Sequence, residues 1–386
     1  MKRMRIGIIG HQFMGRAHSN AWLQAPRFFD LDIEPVLQIA CGRRLLPLKE
    51  FAENWGWKEI ETDWRRVVDR DDIDIIDIAA PQYLHHEIAV AALKAGKHVF
   101  LEKPMAMTVE QAQEMEATAL ISGKVHYLNH NYRRCPAVRL AKNMIDEGKI
   151  GRIFHWRGAY LQDWLTDPEF PLTWQLEKEK AGSGAQADLN SHSIDLARYL
   201  VGEISQVTGM TAQFVSERPL PNKNAAAFKG GSSGEGMGKV TVEDASFMTV
   251  RFVNGALGSF EASRFAVGRK NYNLFEIYGS KGSVSFNLER MNELQYYNND
   301  DQYGEKGFRT ILATDPSHDY ITNWWPPGHI IGYEHEFVHA MVDFLGAISK
   351  GQEIHPNFTD GVREMEILEA GLRSAEEGRM IELETL

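Results

Sequence analysis

From residue 5 to residue 130, short apolar runs alternate with longer stretches whose apolar positions recur at helical spacing. Residues 5–9, 35–41, 73–79, 98–101 and 126–129 predict strands, and residues 15–23, 46–55, 85–95 and 109–122 predict helices between them. Strands that are apolar at nearly every position and separated by helices belong to a parallel sheet covered on both faces. The run Ile75-Ile76-Asp77-Ile78-Ala79-Ala80 stops at Pro81. It predicts a buried strand whose C-terminal end opens into a loop, the place where doubly wound sheets hold ligands.

Beyond residue 130 the texture changes. Residues 247–252, 256–264, 273–278 and 282–287 read as strands separated by turn signals such as Asn254-Gly255 and Ser280-Lys281-Gly282, which predicts a mainly antiparallel sheet. Helices are expected at residues 188–200, 333–349 and 358–378, and the Gly/Ser-rich stretch 229–239 reads as a mobile loop. The chain is therefore expected to be α/β, with a doubly wound parallel domain over residues 1–130. An α+β domain with a large, mainly antiparallel open sheet should cover residues 131–386. The second domain would bind substrate and carry the contacts of a homodimer or homotetramer.

Composition narrows the function classes. Of 386 residues, 42 are Lys or Arg and 53 are Asp or Glu, a formal charge of -11 that disfavours nucleic acid and anionic membrane as partners. Two cysteines, Cys41 and Cys135, make no disulfide framework and have no metal-ligand spacing. The apolar run before Gly10 is too short for a signal peptide, and no run reaches membrane-spanning length, so the expected location is the cytoplasm.

Chemistry begins at the end of the first strand. Residues 6–15, IGIIGHQFMG, place Gly10 and Gly15 at the outer glycines of a G-x-G-x-x-G turn, with Gln12, Phe13 and Met14 between them. A strand before and a helix after are the context of a Rossmann dinucleotide site, although a plain strand-to-helix turn also fits two glycines. The next strand ends in Gly42-Arg43-Arg44 instead of an acidic residue. Guanidinium groups there pair with a 2′-phosphate and favour NADP over NAD, while solvation alone also accounts for two loop arginines.

Two further segments carry a resemblance: residues 79–85, AAPQYLH, and residues 96–104, GKHVFLEKP. With the E-K-P triplet Glu102-Lys103-Pro104, they resemble the glucose-fructose oxidoreductase and inositol dehydrogenase family, Gfo/Idh/MocA, with Gln82 where Asn is commoner. Residues 181–195, AGSGAQADLNSHSID, are similar to that family's D-x-x-x-H-x-x-D helix. The resemblance implies oxidation or reduction of a ring hydroxyl of a sugar, anhydrosugar, glycoside or cyclitol with NAD(P). Lys103 would bond the reacting oxygen, His192 would accept its proton and Asp188 would complete the catalytic group. It further implies cofactor contacts from Ala80, Pro81, Gln82, His85, Glu102, Lys103, Asn131 and Trp174.

Acid–base chemistry on a secondary alcohol independently asks for a base near neutral pH and a donor to hold the oxygen, roles that histidine and lysine suit. Asp188 and His192, four apart on a helix, share a face. Tyr132, Arg133, Tyr160, Gln162, Asp163 and Trp174 supply the aromatic, amide and charged groups that line a polyol, although the aromatics fit a core equally well. The segment 160–164 with Trp174 looks like the levoglucosan dehydrogenase-like branch of the family. His335 is expected near the substrate because the family brings its helix there. Two alternatives stay open, an NAD-dependent glycosidase and a dinucleotide-binding regulator without turnover. A remote third is a zinc hydrolase, since His335-Glu336-Phe337-Val338-His339 matches H-E-x-x-H; the reading adopted has no metal.

Overall fold

The computed structural model describes residues 2–222 and 233–384. It forms two compact units, one of residues 1–135 with 314–365, the other of residues 136–313 with 366–386. In the first, β1 (Lys2–Ile9), α1 (Phe13–Phe28), β2 (Ile33–Cys41), α2 (Leu45–Trp55), β3 (Glu59–Glu61), α3 (Trp64–Val68) and β4 (Ile75–Ile78) come first. They are followed by α4 (His85–Lys94), β5 (His98–Glu102), α5 (Val109–Ser122) and β6 (His126–Asn129). The strands form a parallel sheet in the order β3-β2-β1-β4-β5-β6. The chain winds outward from β1 to β3 and returns to the other side of β1 at β4, so the switch point lies between the ends of β1 and β4.

The second unit contains α6 (Pro136–Asp146), β7 (Ile153–Leu161), α7 (Lys178–Ala181), α8 (Ser191–Leu200), β8 (Ile204–Ala212), β9 (Glu217–Pro221) and β10 (Ser233–Lys239). After these come β11 (Ala245–Phe252), β12 (Leu257–Ser263), β13 (Tyr272–Gly279), β14 (Gly282–Asn287), β15 (Glu293–Asn298) and β16 (Arg309–Leu312). The chain then passes through α9 (Tyr333–Lys350) of the first unit and α10 (Phe358–Glu377), whose second half rejoins the second unit before β17 (Ile381–Glu382). Nine strands align as β16-β15-β14-β13-β7-β12-β11-β8-β17, antiparallel except for the β7–β12 pair, and β9 with β10 makes a separate two-stranded ribbon.

Two details depart from the pattern-based expectation. A single cut at residue 130 does not describe the first unit, because residues 314–365 belong to it. The reason is burial: Phe337, Met341, Phe344 and Leu345 of α9 share one core with Trp22 of α1, Ile6 and Ile8 of β1, Phe100 and Tyr127. In the Gly/Ser-rich stretch, residues 233–239 form β10 rather than a loop, and residues 229–232 lie outside the described residues. Among the described residues, no helix is long and apolar enough to cross a membrane.

Candidate active site

At the switch point the glycines are required by space. Gly10 has φ +116°, and a Cβ there would lie 2.2 Å from the carbonyl oxygen of Ala79, just past β4. A Cβ on Gly15 would lie 2.2 Å from the carbonyl of Gly10. The turn thus draws β1, β4 and the start of α1 together, as a dinucleotide turn must. Gln12 is the N-cap residue of α1 and makes no side-chain cap, so the opening amides of the helix keep their own donors at this end. Phe13 is half exposed and stacks on Tyr333, and Met14 packs against the core. At the end of β2, a Cβ on Gly42 would meet the His11 ring at 2.2 Å, while Arg43 and Arg44 are exposed. Burial, and then the charge of Arg44, hold His11 below the usual histidine pKa.

A buried ionic chain supports the E-K-P strand end from below. His18 on α1 bonds Asp77 of β4 at 2.8 Å and Glu102 of β5 at 2.9 Å, and all three side chains are almost fully buried. Trp22 donates to the other oxygen of Asp77 at 2.7 Å, Asn129 donates to Glu102 at 2.6 Å, and the Lys103 amide donates to Glu102 at 3.3 Å. Burial alone would lower the pKa of His18, yet the two carboxylates raise it to about 10. The ring is therefore an imidazolium. Glu102 responds in kind: burial would raise its carboxyl, and the bonded His18 brings it below the usual range.

Around this strand end the predicted loop residues cross-brace one another. His85 bridges the carbonyls of Ala80 (2.8 Å) and Pro104 (2.9 Å), and Gln82 donates to Ala106 at 2.6 Å. Both side chains therefore hold the loop after β4 to the loop after β5, so any part they play toward a dinucleotide is to shape Ala80, Pro81 and Lys103. Asn131 donates to Glu336 at 2.9 Å, Tyr132 is buried beside Tyr333, and Arg133 lies 4.0 Å from Asp360.

The H-E-x-x-H residues are spent on packing. His339 accepts from Trp324 at 2.7 Å and meets the Arg134 carbonyl at 2.9 Å, and it stacks on Tyr320 at 4.1 Å. Burial lowers its pKa to about 3, so the ring is neutral with both nitrogens in use. Glu336 is buried, and desolvation raises its carboxyl well above the usual value. His335 forms the capping contact with Gly332 at the start of α9, its ring edge-on to Trp324. Among the described residues, no group suited to a metal ion includes these three.

In the second unit, the predicted helix from residue 188 begins earlier and differently. Residues Gln186–Asn190 form a π-turn that runs into α8, so Asp188 lies on the wider turn and His192 on the regular helix that follows it. Glu243 caps this start by accepting from the amides of Gly184 (2.7 Å) and Gln186 (2.9 Å). Gln186 is wholly buried and ties the turn to Asn190, Ser246 and the Leu368 carbonyl. His192 is buried with the Tyr160 ring 5.6 Å away. Tyr160 donates to Asn271 at 2.6 Å, Gln162 donates to the same oxygen at 3.0 Å, and Trp164 donates to Gln162 at 2.9 Å. Asp163 instead takes Lys270 (2.7 Å) and the Gly268 amide (3.0 Å), and Trp174 is half-buried at the opening of a 3-10 turn.

Sequence reasoning missed His18, Asp77, Glu243 and Asn271. A signal existed for the first pair: a carboxylate inside an otherwise apolar strand needs a buried partner, and His18 sits three residues after Gly15. Glu243 and Asn271 carried none, because their partners are distant in the chain.

Comparison with known proteins agrees with this architecture. Residues 4–130 match the oxidoreductase family with an NAD-binding Rossmann fold, and residues 138–285 match the GFO/IDH/MocA C-terminal domain. Levoglucosan dehydrogenase of Pseudarthrobacter phenanthrenivorans is 44% identical over 378 residues, covering 97% of each chain. An oxidoreductase domain protein from Kribbella flavida superposes with a TM-score of 0.94 at 45% identity over the whole of both chains. A levoglucosan dehydrogenase in complex with NADH and levoglucosan superposes with a TM-score of 0.94 at 42% identity, also over the whole of both chains. The chain is thus a member of the GFO/IDH/MocA oxidoreductases, with the family's NAD-binding Rossmann fold at its N-terminal end.

Proposed function

We propose that the chain oxidises a secondary ring hydroxyl of an anhydrosugar or closely related sugar, with levoglucosan the first candidate, and passes the hydride to NAD(P). The observation that carries this reading is the match to levoglucosan dehydrogenase along 97% of both chains, at an identity well above what a shared fold requires. The Gly10–Gly15 turn fits the dinucleotide, since glycine at both positions lets β1, β4 and the start of α1 close up, which leaves the uncapped opening amides of α1 to take a pyrophosphate. When bound, the nicotinamide supplies the hydride acceptor.

The chain's own residues do the rest. Lys103, at the end of β5, holds the reacting oxygen, and the strand end beneath it is kept rigid by Glu102, His18 and Asp77. His192 takes the hydroxyl proton as hydride leaves, and Asp188 orients substrate or imidazole from the π-turn that precedes α8. Tyr160, Gln162 and Trp174 line the sugar, Asp163 acts through the loop it pins to Lys270, and Tyr132, Arg133 and His335 are further candidates for sugar contacts. For the dinucleotide we take both forms as accepted: NAD, as in the NADH-bound relative, and NADP through the exposed Arg43 and Arg44.

Reduced-nicotinamide absorbance against anhydrosugars, monosaccharides, cyclitols and glycosides, with NAD and NADP separately, tests the reading. Turnover on anhydrosugars is expected with both dinucleotides, and Arg44→Ala should raise KM for NADP by about tenfold while leaving NAD within twofold. Silence with every sugar would overturn it.

A further inference from the structure

Residues 162–173 form an irregular run between β7 and the 3-10 turn at Trp174–Leu176. Backbone carbonyls in such a run need partners wherever they are buried. Three find one side chain: Arg218 of β9 donates to the carbonyls of Leu165 (2.6 Å), Asp167 (2.7 Å) and Phe170 (3.3 Å). Arg218 is 0% exposed, and its guanidinium lies 6.0 Å from the Phe170 ring and 5.9 Å from that of Phe265. A buried cation is costly unless hydrogen-bonded, and both Nη atoms find their partners in this loop while Nε has none among the described residues, so this arginine and the loop depend on each other. The ribbon adds its own grip, for the Leu172 amide donates to Pro219 at 2.7 Å, and a Cβ on Gly238 would lie 2.6 Å from Leu172. Arg264 supports the far side, with its guanidinium on the Glu243 carbonyl at 3.0 Å and 5.9 Å from the Trp164 ring. Above this platform the loop carries Gln162 and Trp164, which lead through Asn271 to Tyr160 and its ring contact with His192.

We propose that Arg218 is a positioning residue for sugar recognition, and that the β9–β10 ribbon is a specificity element that sets the conformation of the loop 162–173. The proposal rests on the reading that Tyr160, Gln162 and Trp174 line the sugar. The arginine touches no substrate. It fixes, through three carbonyls, the backbone that presents the side chains that do.

Steady-state kinetics of Arg218→Met, Arg218→Lys and Arg218→Ala, beside Gln162→Ala and Trp174→Ala, test it, with NADH binding by fluorescence and a cooperative thermal unfolding transition reporting that each variant is folded. Arg218→Met is expected to raise KM for the sugar about tenfold or more, with KM for the dinucleotide within twofold. Arg218→Lys should recover part of that loss, and millimolar guanidinium ions should lower the raised KM of Arg218→Ala. If Gln162→Ala and Trp174→Ala raise the sugar KM while the NADH-binding Arg218 variants match wild type, the proposal is overturned and the sugar-lining reading stands. If none of the five variants moves the sugar KM, both fall. Should Arg218→Met and Arg218→Ala fail to bind NADH, Arg218→Lys decides alone: a wild-type sugar KM overturns the proposal.

Discussion

Lys103 and His192 carry the proposed chemistry, but much of what lets Lys103 act lies underneath it. Glu102 would be an unstable buried carboxylate without His18, and His18 would be neutral without Asp77 and Glu102. Replacing Lys103 or His192 by Ala is expected to cut turnover by about a hundredfold or more in stopped assays, with NADH affinity little changed in His192→Ala by fluorescence titration. His18→Gln should act on stability instead, costing about 3 to 5 kcal/mol because it leaves two buried carboxylates facing each other. The pH dependence has a definite sign. The folded-state pKa of His18 is raised from 6.5 to about 10, so its stabilisation is complete below pH 6.5 and is lost as pH rises toward 10. Thermal unfolding across that window should show Tm falling in the wild type and a flatter profile in His18→Gln; parallel profiles would contradict the assignment.

At the scale of elements, patterns with one dominant partner were legible and those with distant partners were not. The strand at residues 126–129 and the helix at residues 109–122 agree residue for residue with β6 and α5, because local periodicity and the Thr108 cap specify them. The π-turn before α8 was not legible, since it depends on Glu243 and Gln186 reaching partners more than fifty residues away. Nor was β10, whose glycines suggested a loop until β9 paired with it. The H-E-x-x-H match shows the opposite failure: the local spacing is right, yet His339 is fully engaged by Trp324 and Arg134. The glycine turn was legible in its outer positions, and the clash at Ala79 explains why Gly10 cannot vary. Gly10→Ala, which demands both a positive φ and a backbone shift, should weaken NADH binding about tenfold or more in a fluorescence titration. Wild-type affinity would contradict the fit of the turn to a dinucleotide.

For the whole molecule, a reading from the N-terminus outward separates two domains at one point, while the folded chain returns to complete the first unit with α9. Nothing local in residues 333–350 announces that return; it follows from an apolar helix face that is buried in one core with the Rossmann sheet and α1. The nine-stranded sheet leaves Phe154, Phe247 and Leu257 exposed on neighbouring strands, apolar surface of the kind that self-association covers. Light scattering should therefore give the mass of a dimer or tetramer, and a monomer at micromolar concentration would contradict that expectation. The proposed chemistry is net hydride removal from a sugar ring carbon. Its most direct measurement follows deuterium from a ring-deuterated anhydrosugar to the nicotinamide by mass spectrometry while reduced cofactor is counted. One labelled reduced dinucleotide is expected for each ketosugar formed. Sugar cleavage with no net reduced cofactor, or binding with no label transferred, would contradict it.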